Sequence, residues 1–501
     1  MRQRSHCLIL VLMMLLLAPS LTRADLSSDI RAVLGDKLLS RADVGVEIVR
    51  LGESVADDKP VFGYNATAPR VPASNLKLAT TSTAIEKLGA DFQFRTVLAG
   101  RGHDIALIGD GDPTLGDAEM LHKVGWDVDT VFKAWAQSLK QRGITEVNDV
   151  YVDDSIFDQN FLPVNWPPEQ EHKRYVAQIG GVNLNANCVD FYLRTTGFGQ
   201  LVEYRTNPVT QYIVIGNTCV TGSRNAIWLS RQRGTNDVVL RGETDVSNSE
   251  PVSVTIHDPP MFAATVLAET LRVCGIRVNG EVKRDRTIRG TLAGVSPATG
   301  PSDRWSTLAV HTTPLSAVLA RANKDSMNLY AEALCKRIGA AVTGESGTWD
   351  NGTAAVGGFL ESVGVSRQEF NLDDGCGLSK KNTISPNAIA KILGYEFHGK
   401  DHKTFVESLA VAGIDGTFKD RFQGSDLRGR VFGKSGYVVG VSACSGLLKA
   451  KDGQWYAFSI LMNGLPEGTN GGAKQLQERI VKAVDAASSG GGGTGRVVDG
   501  R

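Results

Sequence analysis

The stretch "ASNLKLATT", residues 73–81, places Lys77 one helical turn after Ser74 in a helix predicted over residues 74–89. Residues at positions i and i+3 share a helix face, so the lysine ammonium can reach the serine hydroxyl. Serine needs a nearby base to become a nucleophile, and a buried lysine can serve because burial lowers its pKa. On the order of one Ser-x-x-Lys is expected by chance, so the pair needs partners elsewhere in the chain.

A second motif supplies candidate partners for this pair. The stretch "NKDSMN", residues 323–328, contains Ser326 and Asn328. A hydroxyl there can relay a proton, and an amide can hold a substrate carbonyl. Ser-x-Asn also occurs at residues 223–225 and 385–387, so the triplet alone does not choose among the three.

A third motif, "GKSGY", is predicted to lie on an edge strand. Lys434 and Ser435 suit the binding of a terminal carboxylate. Gly436 lets a substrate backbone approach the strand closely. The N–H of Tyr437 can complete an oxyanion hole together with the N–H of Ser74.

The other motif classes argue against nucleotide and metal chemistry. "GKS" resembles the end of a phosphate-binding loop, but Arg428 stands where that loop requires glycine, and strand-like residues follow instead of a helix. The histidines are scattered and no Cys-x-x-Cys occurs, so no zinc site is expected. The Gly-x-Ser-x-Gly elbow of α/β-hydrolases is absent as well. The sequence therefore predicts neither a metal nor a cofactor.

Composition describes an ordinary globular protein. The chain has 501 residues, of which 42% are hydrophobic and 22% charged, and its length suggests about three domains. The formal net charge is zero. No basic field therefore favours nucleic acid or an anionic membrane as a partner.

The N-terminus has the pattern of a secretory signal peptide. Arg2 and Arg4 precede the apolar stretch of residues 8–19, and the small residues Thr22 and Ala24 follow, which predicts cleavage after Ala24. The apolar stretch is too short to span a bilayer comfortably, with an uncleaved anchor as the alternative. We expect a periplasmic or secreted protein without stable membrane insertion.

Export gives the cysteines a meaning, because some could pair in an oxidising compartment. The sequence does not choose a pairing, and we interpret at least half as small buried hydrophobic residues. The cysteines that follow the predicted cleavage site are Cys188, Cys219, Cys274, Cys335, Cys376 and Cys444. Nothing in the sequence indicates the oligomeric state.

The order of predicted elements suggests one domain split by another. A strand is predicted over residues 44–51, and strands that could join the same sheet are predicted at 440–448 and 455–463. Residues 182–258 between them are dense in short β-type runs. Besides the helix that carries Ser74, helices are predicted over residues 27–40, 128–142, 260–274, 314–339, 386–397 and 471–487.

The order Ser-x-x-Lys, Ser-x-Asn, Lys-Ser-Gly is the signature of active-site serine penicillin-recognising enzymes. Over roughly residues 30–485 the chain resembles the class C low-molecular-mass penicillin-binding proteins, the D-alanyl-D-alanine carboxypeptidase/endopeptidase family. The stretches that carry the resemblance are "PASNLKLATTSTAIEKLG", "GDGDPTL", "VDDSIFD", "NLNANC", "NKDSMNLYAEALCKRIG", "DDGCGLSKKNTISP", "AGIDGTFKDRF" and "GKSGYVVGVSACSG".

The resemblance implies an α/β (α+β) fold of the penicillin-binding-protein/β-lactamase-like serine transpeptidase type. A large inserted β-rich region lies between the first and second motifs of such a fold. The domains expected are a signal peptide at 1–24, a catalytic domain formed by 25–98 and 305–487, an inserted domain at 99–304 with a nested β-rich subdomain at about 182–258, and a disordered Gly-rich tail at 488–501.

The resemblance also implies a role for each motif residue, and it favours residues 326–328 over the other two triplets. The roles are nucleophile for Ser74, general base for Lys77, proton relay for Ser326, substrate-amide binding for Asn328, and binding of the D-alanine carboxylate for Lys434 and Ser435. Asp153 lies where the family can read a substrate side chain, with turn capping as an equal alternative. The implied partners are peptidoglycan stem peptides, with β-lactams as inhibitors and no cofactor.

Three positions depart from the family pattern. Ser435 replaces a more usual threonine and keeps the hydroxyl. Cys376 stands in "DGCGLS" where serine is typical, so a thiol replaces a stronger hydrogen-bond partner near the site. Asp110 replaces a common glycine and is expected on a surface turn.

The expected activity is that of a serine-type D-Ala-D-Ala carboxypeptidase, a D,D-endopeptidase, or both. Sequence does not separate these two activities or name the third residue of the stem peptide. A β-lactamase or esterase is one alternative, which fast turnover of a penicilloyl-enzyme would reveal. A non-catalytic wall-binding protein is the other, although no motif residue is missing.

Overall fold

The computed structural model describes residues 25–292 and 304–488. Its strands in chain order are β1 Asp43–Arg50, β2 Lys59–Tyr64, β3 Gln93–Arg101, β4 Asp104–Ile108, β5 Glu146–Val147, β6 Val150–Asp153, β7 Cys188–Arg194, β8 Glu203–Asn207, β9 Val214–Asn217, β10 Val220–Thr221, β11 Ala226–Arg231, β12 Asp237–Thr244, β13 Val252–Thr255, β14 Arg277–Val278, β15 Val282–Arg284, β16 Ser306–Pro314, β17 Phe370–Asn371, β18 Thr383–Ile384, β19 Ala410–Val411, β20 Val431–Val438, β21 Val441–Lys449 and β22 Trp455–Asn463. Its helices are α1 Leu26–Leu34, α2 Lys77–Leu88, α3 Ala118–His122, α4 Thr130–Gln141, α5 Pro259–Val273, α6 Ile288–Thr291, α7 Leu315–Asn323, α8 Asn328–Thr343, α9 Trp349–Ser362, α10 Pro386–His398, α11 His402–Ser408 and α12 Asn470–Ser488. The predicted signal peptide and the Gly-rich tail beyond Ser488 lie outside the described residues.

An antiparallel sheet joins the two ends of the described chain. Its strand order is β19-β20-β21-β22-β1-β2, and β1 pairs with β22 along its whole length. Successive residues such as Ile460 and Leu461 belong to different hydrophobic cores, as the alternation of side chains along a strand requires. Helix α12 covers one face and α10 the other. The prediction that strands from both ends share a sheet is confirmed.

A second sheet, β15-β6-β4-β3-β16, lies between the first and second motifs. Its strands β3 and β16 are antiparallel neighbours, with Phe94 opposite Thr313. Helix α2 ends just before β3, and α7 begins just after β16. The chain therefore leaves the helical core and returns to it at adjacent points, which lets a long segment separate Lys77 from Ser326.

The short β-type runs predicted over residues 182–258 are strands in the structure. They form two small sheets, β13-β7-β8 and β10-β12-β11, and β9 pairs with β12. Inward side chains such as Phe191 and Leu240 share a hydrophobic core with Phe262 and Leu267 of α5. This core is continuous with that of the second sheet, since Leu107 of β4 belongs to it as well.

The predicted helices are present, but two of them are interrupted. The helix predicted over residues 314–339 consists of α7 and α8, because Ser326 between them has a φ of 61°, a left-handed value that a helix interior does not allow. The helix predicted over residues 27–40 ends at Leu34. Asp36 then caps a separate 3-10 turn through its side chain.

The cysteines after the predicted cleavage site are all free thiols, and only Cys274 among them is partly exposed. The interpretation of most of them as small buried residues is confirmed. No helix in the described part of the chain is long and apolar enough to cross a bilayer.

Candidate active site

The predicted nucleophile lies at the entrance to helix α2. Ser74 belongs to a 3-10 turn, Ala73–Leu76, that leads directly into the helix. Ala73 has a φ of 46°, a left-handed conformation that costs a non-glycine residue about 1 kcal/mol or more. Asn75 anchors the turn to strand β21, because its side-chain amide donates to Ser445 Oγ at 2.7 Å. Strained backbone held by such contacts is typical of functional sites.

Lys77 is fully buried, and its ammonium group has three hydrogen-bond acceptors. Nζ donates to Ser74 Oγ at 2.9 Å, to Asn328 Oδ1 at 2.7 Å and to the carbonyl oxygen of Cys376 at 3.1 Å. Burial lowers the pKa of Lys77, and nearby acidic groups offset part of that effect. None of the three acceptors is a carboxylate, so no directly bonded negative charge stabilises the ammonium form against the neutral amine that a base requires.

The break in the chain between α7 and α8 brings Asn328 to Lys77 and Ser326 to Lys434. The left-handed Ser326 lies within the connection, and Asn328 is the first residue of α8. The Asn328 amide donates through Nδ2 to the carbonyl of Tyr175 at 2.8 Å, while its oxygen faces Lys77. The structure thus brings the residue 326–328 triplet, out of the three in the sequence, to Ser74.

Lys434 is the second buried lysine of the site. Its Nζ donates to Ser326 Oγ at 2.7 Å and to the carbonyl of Ser435 at 2.8 Å. Burial lowers the pKa of Lys434 well below its ordinary value, and the nearby charge of Lys77 lowers it further. A bound anion would oppose both effects, so this position suits a carboxylate.

Strand β20 presents its second half to the nucleophile. Strand β19 pairs with β20 only at Phe432 and Gly433. A Cβ on Gly436 would lie 2.7 Å from the carbonyl of Pro72 and 3.1 Å from the nitrogen of Ser74. Glycine therefore allows the Ser74 N–H and the strand to approach this closely. The side chain of Tyr437 next along the strand is 51% exposed.

A buried carboxylate holds the loop that supplies the third acceptor of Lys77. Asp374 is 1% exposed, and burial raises its pKa against the opposing effect of its hydrogen bonds. The donors to its carboxylate are the backbone N–H groups of Cys376, Gly377 and Ser379, the Asn382 amide and the Trp166 indole. Cys376 contacts Lys77 through its carbonyl, so replacing serine by cysteine leaves that hydrogen bond intact.

A second buried carboxylate, Glu332 of α8, lies beside this loop. Its oxygens accept from the Gly375 N–H at 3.0 Å and from the Trp349 indole at 2.7 Å, and burial raises its pKa to about 7. Oxygens of Glu332 and Asp374 lie within 4.8 Å of the Cys376 sulfur. Both carboxylates already accept several N–H groups, which fits an internal hydrogen-bond network better than a metal site.

Sequence reasoning missed the carboxylates Glu332 and Asp374 and the inserted residues Trp166 and Tyr175. No short motif connects these residues, since the fold brings them together from distant parts of the chain. The stretch "DDGCGLSKKN" was the available signal for Asp374, because an aspartate before consecutive turn residues is typical of a carboxylate that accepts backbone N–H groups.

Asp153 lies at the end of β6, and its side chain is fully buried. One carboxylate oxygen accepts from the Ser155 N–H at 2.8 Å and the other from the Arg289 N–H at 2.6 Å. These are the contacts of a turn-capping aspartate. A role for Asp153 in reading a substrate side chain stays a prediction.

The expectation that Asp110 lies on a surface turn is wrong. Asp110 is 7% exposed, and its Oδ1 lies 3.2 Å from Arg337 Nε and 3.8 Å from Arg289 Nη1. Arg337 belongs to α8, so this ion pair ties the turn after β4 to the helix that begins with Asn328. The partner arginines are distant in sequence, which is why the turn pattern alone misplaced Asp110.

Comparisons with known proteins agree with this geometry. The model of the D-Ala-D-Ala carboxypeptidase 3 (S13) family matches residues 26–486. A D-alanyl-D-alanine carboxypeptidase from an Actinomadura species is 32% identical over 469 residues, which cover 88% of this chain and 81% of that protein. The D-alanyl-D-alanine carboxypeptidase DacB of Haemophilus influenzae is 24% identical over 459 residues, 87% of this chain and 88% of that protein.

Solved structures confirm the predicted fold. The crystal structure of penicillin binding protein 4 from Haemophilus influenzae superposes with a TM-score of 0.74 at 22% identity, over 91% of this chain and 99% of that chain. A complex of the same protein with a β-lactam gives a TM-score of 0.68. The enzyme class predicted from the motifs is confirmed as well, and the chain belongs to the D-Ala-D-Ala carboxypeptidase 3 (S13) family.

Proposed function

We propose that the protein hydrolyses the D-Ala-D-Ala end of peptidoglycan stem peptides through an acyl-enzyme on Ser74. The observation that carries the proposal is the 2.9 Å contact between Lys77 Nζ and Ser74 Oγ in a buried site. Because burial lowers the pKa of Lys77, the lysine can be neutral when it accepts the serine proton.

Acylation begins with that proton transfer. As Ser74 Oγ bonds to the carbonyl carbon of the penultimate D-alanine, its proton passes to Lys77 Nζ, and the carbonyl electrons move to oxygen. The N–H groups of Ser74 and Tyr437 are proposed to stabilise this oxyanion, since the strand that carries Tyr437 approaches the Ser74 nitrogen at Gly436.

Collapse of the tetrahedral intermediate breaks the bond to the leaving amine, which needs a proton. Ser326 is placed to relay it, because its hydroxyl lies 2.7 Å from Lys434 Nζ and belongs to the same cluster as Lys77. D-Alanine leaves, and water then attacks the acyl-enzyme with the same groups in reverse roles. If the leaving amine belongs to a second stem peptide, the same steps describe a D,D-endopeptidase.

Lys434 and Ser435 are proposed to bind the terminal carboxylate of D-alanine. A buried ammonium that contacts only hydroxyl and carbonyl oxygens is incompletely neutralised, and an incoming carboxylate would supply the missing negative charge. Asn328 retains one amide hydrogen beyond the one given to Tyr175, and that hydrogen is available for the substrate carbonyl.

The location and domain division complete the proposal. A stem-peptide substrate requires export, which the sequence pattern of residues 1–24 supports. The pairing of β1 with β22 and of β3 with β16 supports one catalytic domain, 25–98 and 305–487, interrupted by an inserted one. β-Lactams, which resemble an acyl-D-Ala-D-Ala end, are expected to acylate Ser74.

The test is intact-mass spectrometry of the mature protein with benzylpenicillin, followed over hours. A persistent penicilloyl adduct that maps to Ser74, and that is absent from a folded Ser74→Ala variant, is the expected result. Rapid loss of the adduct with destruction of excess drug would instead identify a β-lactamase. Labelling of Ser74→Ala, or a folded wild-type protein that forms no adduct and leaves the drug intact, would overturn the proposal.

A further inference from the structure

We propose that the inserted segment of residues 165–175 positions Lys77, through the Trp166 indole and the Tyr175 carbonyl. This inference rests on the proposed role of Lys77 as general base. Two of the three acceptors of Lys77 Nζ are Asn328 Oδ1 and the Cys376 carbonyl. Each of these is held in place by a hydrogen bond that involves this segment, and the third acceptor is the nucleophile itself.

The first connection runs through Trp166. Its indole Nε1 donates to Asp374 Oδ2 at 2.9 Å, and the side chain is 4% exposed. Asp374 in turn accepts from the N–H groups of Cys376 and Gly377. These bonds hold the peptide group between Cys376 and Gly377, whose carbonyl faces Lys77. The Trp166 indole therefore helps to position that carbonyl indirectly, through Asp374.

The second connection runs through the backbone of Tyr175. The Asn328 amide donates to the Tyr175 carbonyl at 2.8 Å and accepts from Lys77 at 2.7 Å. An amide can be turned by half a rotation, which would exchange its oxygen and nitrogen. The Tyr175 carbonyl selects the orientation in which the oxygen, and not the NH₂ group, faces Lys77.

The segment of residues 165–175 has flanks that are hydrogen-bonded to each other, and it makes one more contact with the loop that contains Asp374. Its flanks meet where the Ile179 N–H donates to the Phe161 carbonyl at 2.8 Å. The exposed Asn165 side chain donates to Asp373 Oδ1 at 2.7 Å, next to Asp374. A loop whose ends meet can hold both contacts in register, so the insertion supports the base in addition to separating the motifs.

Removing the indole donor has a predictable sign at Lys77. The titratable groups around the lysine are Glu332 on α8, Asp374 and Cys376 on the loop, and Lys434 on β20. Without Trp166 Nε1–H, Asp374 loses a donor that lowers its pKa, so it takes up a proton more readily and its negative charge no longer stabilises the Lys77 ammonium. The Cys376 carbonyl loosens as well. Both changes favour neutral Lys77 over its ammonium form, so the acid limb of the acylation rate moves to lower pH while the plateau falls.

The experiment compares Trp166→Phe with Trp135→Phe, using benzylpenicillin as the acylating probe across pH. Trp135 is about as buried as Trp166 but lies in the hydrophobic core that α5 shares with the β-rich strands of residues 182–258. Its indole nitrogen has no hydrogen-bond partner among the described residues. Trp166→Phe should lower the second-order acylation rate about tenfold and move the acid limb to lower pH. Trp135→Phe should stay within about twofold of wild type, with its limb unmoved.

An unchanged rate and limb in Trp166→Phe, or equal changes in both variants, would overturn the inference. If Trp166→Phe does not fold, Asn165→Ala removes the neighbouring contact at an exposed position and should slow acylation about threefold with a shift in the same direction. An Asn165→Ala profile identical to wild type would then overturn it. Wild-type protein that is not acylated at all would instead refute the proposed function.

Discussion

Lys77 and Lys336 are both fully buried, and their different partners give them different expected roles. Nζ of Lys336 lies 2.5 Å from Asp158 Oδ1, 2.7 Å from the Asn160 carbonyl and 4.0 Å from the centre of the Trp349 ring. Burial lowers the pKa of both lysines, but at Lys336 the adjacent carboxylate is the main opposing influence. A direct carboxylate partner distinguishes a structural cation from a candidate base.

The two lysines also face different parts of the chain. Lys77 faces the half-buried Ser74 at the entrance to α2, where a substrate can reach it. Lys336 projects from α8 to Asp158 and Asn160 of the inserted region. An unpaired buried charge is costly, so the Lys77 site favours loss of a proton, whereas the Asp158 carboxylate offsets part of that tendency at Lys336.

The different roles of the two lysines can be tested by removing each ammonium group in turn. We expect the largest change in acylation rate from the substitution of Lys77. Lys77→Met should lower the rate of acylation by benzylpenicillin by about 10³-fold or more, because the serine loses its proposed base. Its melting temperature should change little, since an incompletely neutralised buried cation is replaced by an apolar chain of similar length. Stopped-flow acylation and calorimetry measure the two effects. Acylation at more than about a tenth of the wild-type rate would contradict the assignment of Lys77 as the base.

Lys336→Met is the matched variant and should show the opposite pattern. Removing the ammonium leaves Asp158 uncompensated, so the free energy of unfolding should fall by about 3 kcal/mol. The folded fraction should still be acylated within about threefold of the wild-type rate. Adding Asp158→Asn should restore part of the stability, because the remaining charge is removed as well. Urea titration checks both expectations, and a Lys336→Met protein as stable as wild type would show that the ion pair contributes nothing.

Lys434 is a third buried lysine, and it differs from both others because its proposed carboxylate partner belongs to the substrate. A bound carboxylate opposes the lowering of the Lys434 pKa. Acylation of the bound substrate should therefore rise with pH as Lys77 loses its proton and fall at higher pH as Lys434 loses its own, with the first transition below the ordinary lysine pKa of 10.5 because Lys77 is buried. Lys434→Gln should lower kcat/KM for a D-Ala-D-Ala peptide about 100-fold and abolish the alkaline limb.

An analogue whose terminal carboxylate is amidated provides the control for Lys434. It should react equally slowly with wild type and with Lys434→Gln, because the charge that Lys434 is proposed to bind is missing. A Lys434→Gln variant that still discriminated against the amidated analogue would place the carboxylate site elsewhere.

The motif residues of the site could be recognised from sequence, whereas their supports could not. Ser74 and Lys77 are three residues apart in a segment predicted to be helical, so local spacing predicts their contact. Their meeting with Asn328 and Lys434 depends on the order of motifs and on a family resemblance. Local patterns that suggest one element also miss a break within it, as the continuous helix predicted over residues 314–339 shows.

The residues that hold the motif residues in place could not be predicted because their contacts are polar and join distant parts of the sequence. Glu332 occupies an ordinary interior position of α8, and nothing nearby in sequence shows that its partners are Gly375 and Trp349. Asp110 likewise reads as a turn residue until Arg337 is placed beside it. Buried polar groups are satisfied by whichever donors the fold brings near, so their roles become visible only with the fold.

We expect the smallest change, an effect on the free energy of unfolding, at Glu396 of α10. Glu396 is a buried carboxyl group with no lysine or arginine paired to it in the described chain. Glu396 is 3% exposed, and burial raises its pKa from 4.5 to about 8. Between those values the folded protein holds a proton that the unfolded chain has released, so the group's contribution to stability declines as pH rises. Glu396→Gln should therefore leave stability nearly unchanged at pH 5 and raise it by about 2 kcal/mol at pH 9.

Glu407→Gln provides the matched control for Glu396→Gln, because Glu407 is an exposed glutamate whose carboxylate lies 3.9 Å from Lys403. Its effect on stability should stay within about 0.5 kcal/mol at both pH values. Urea titrations of both variants at pH 5 and pH 9 measure the difference. An equal shift at the two pH values in Glu396→Gln would mean that the carboxyl keeps an ordinary pKa despite its burial. Partners would then have to be found for it, as the carboxylate of Asp158 is the partner of Lys336.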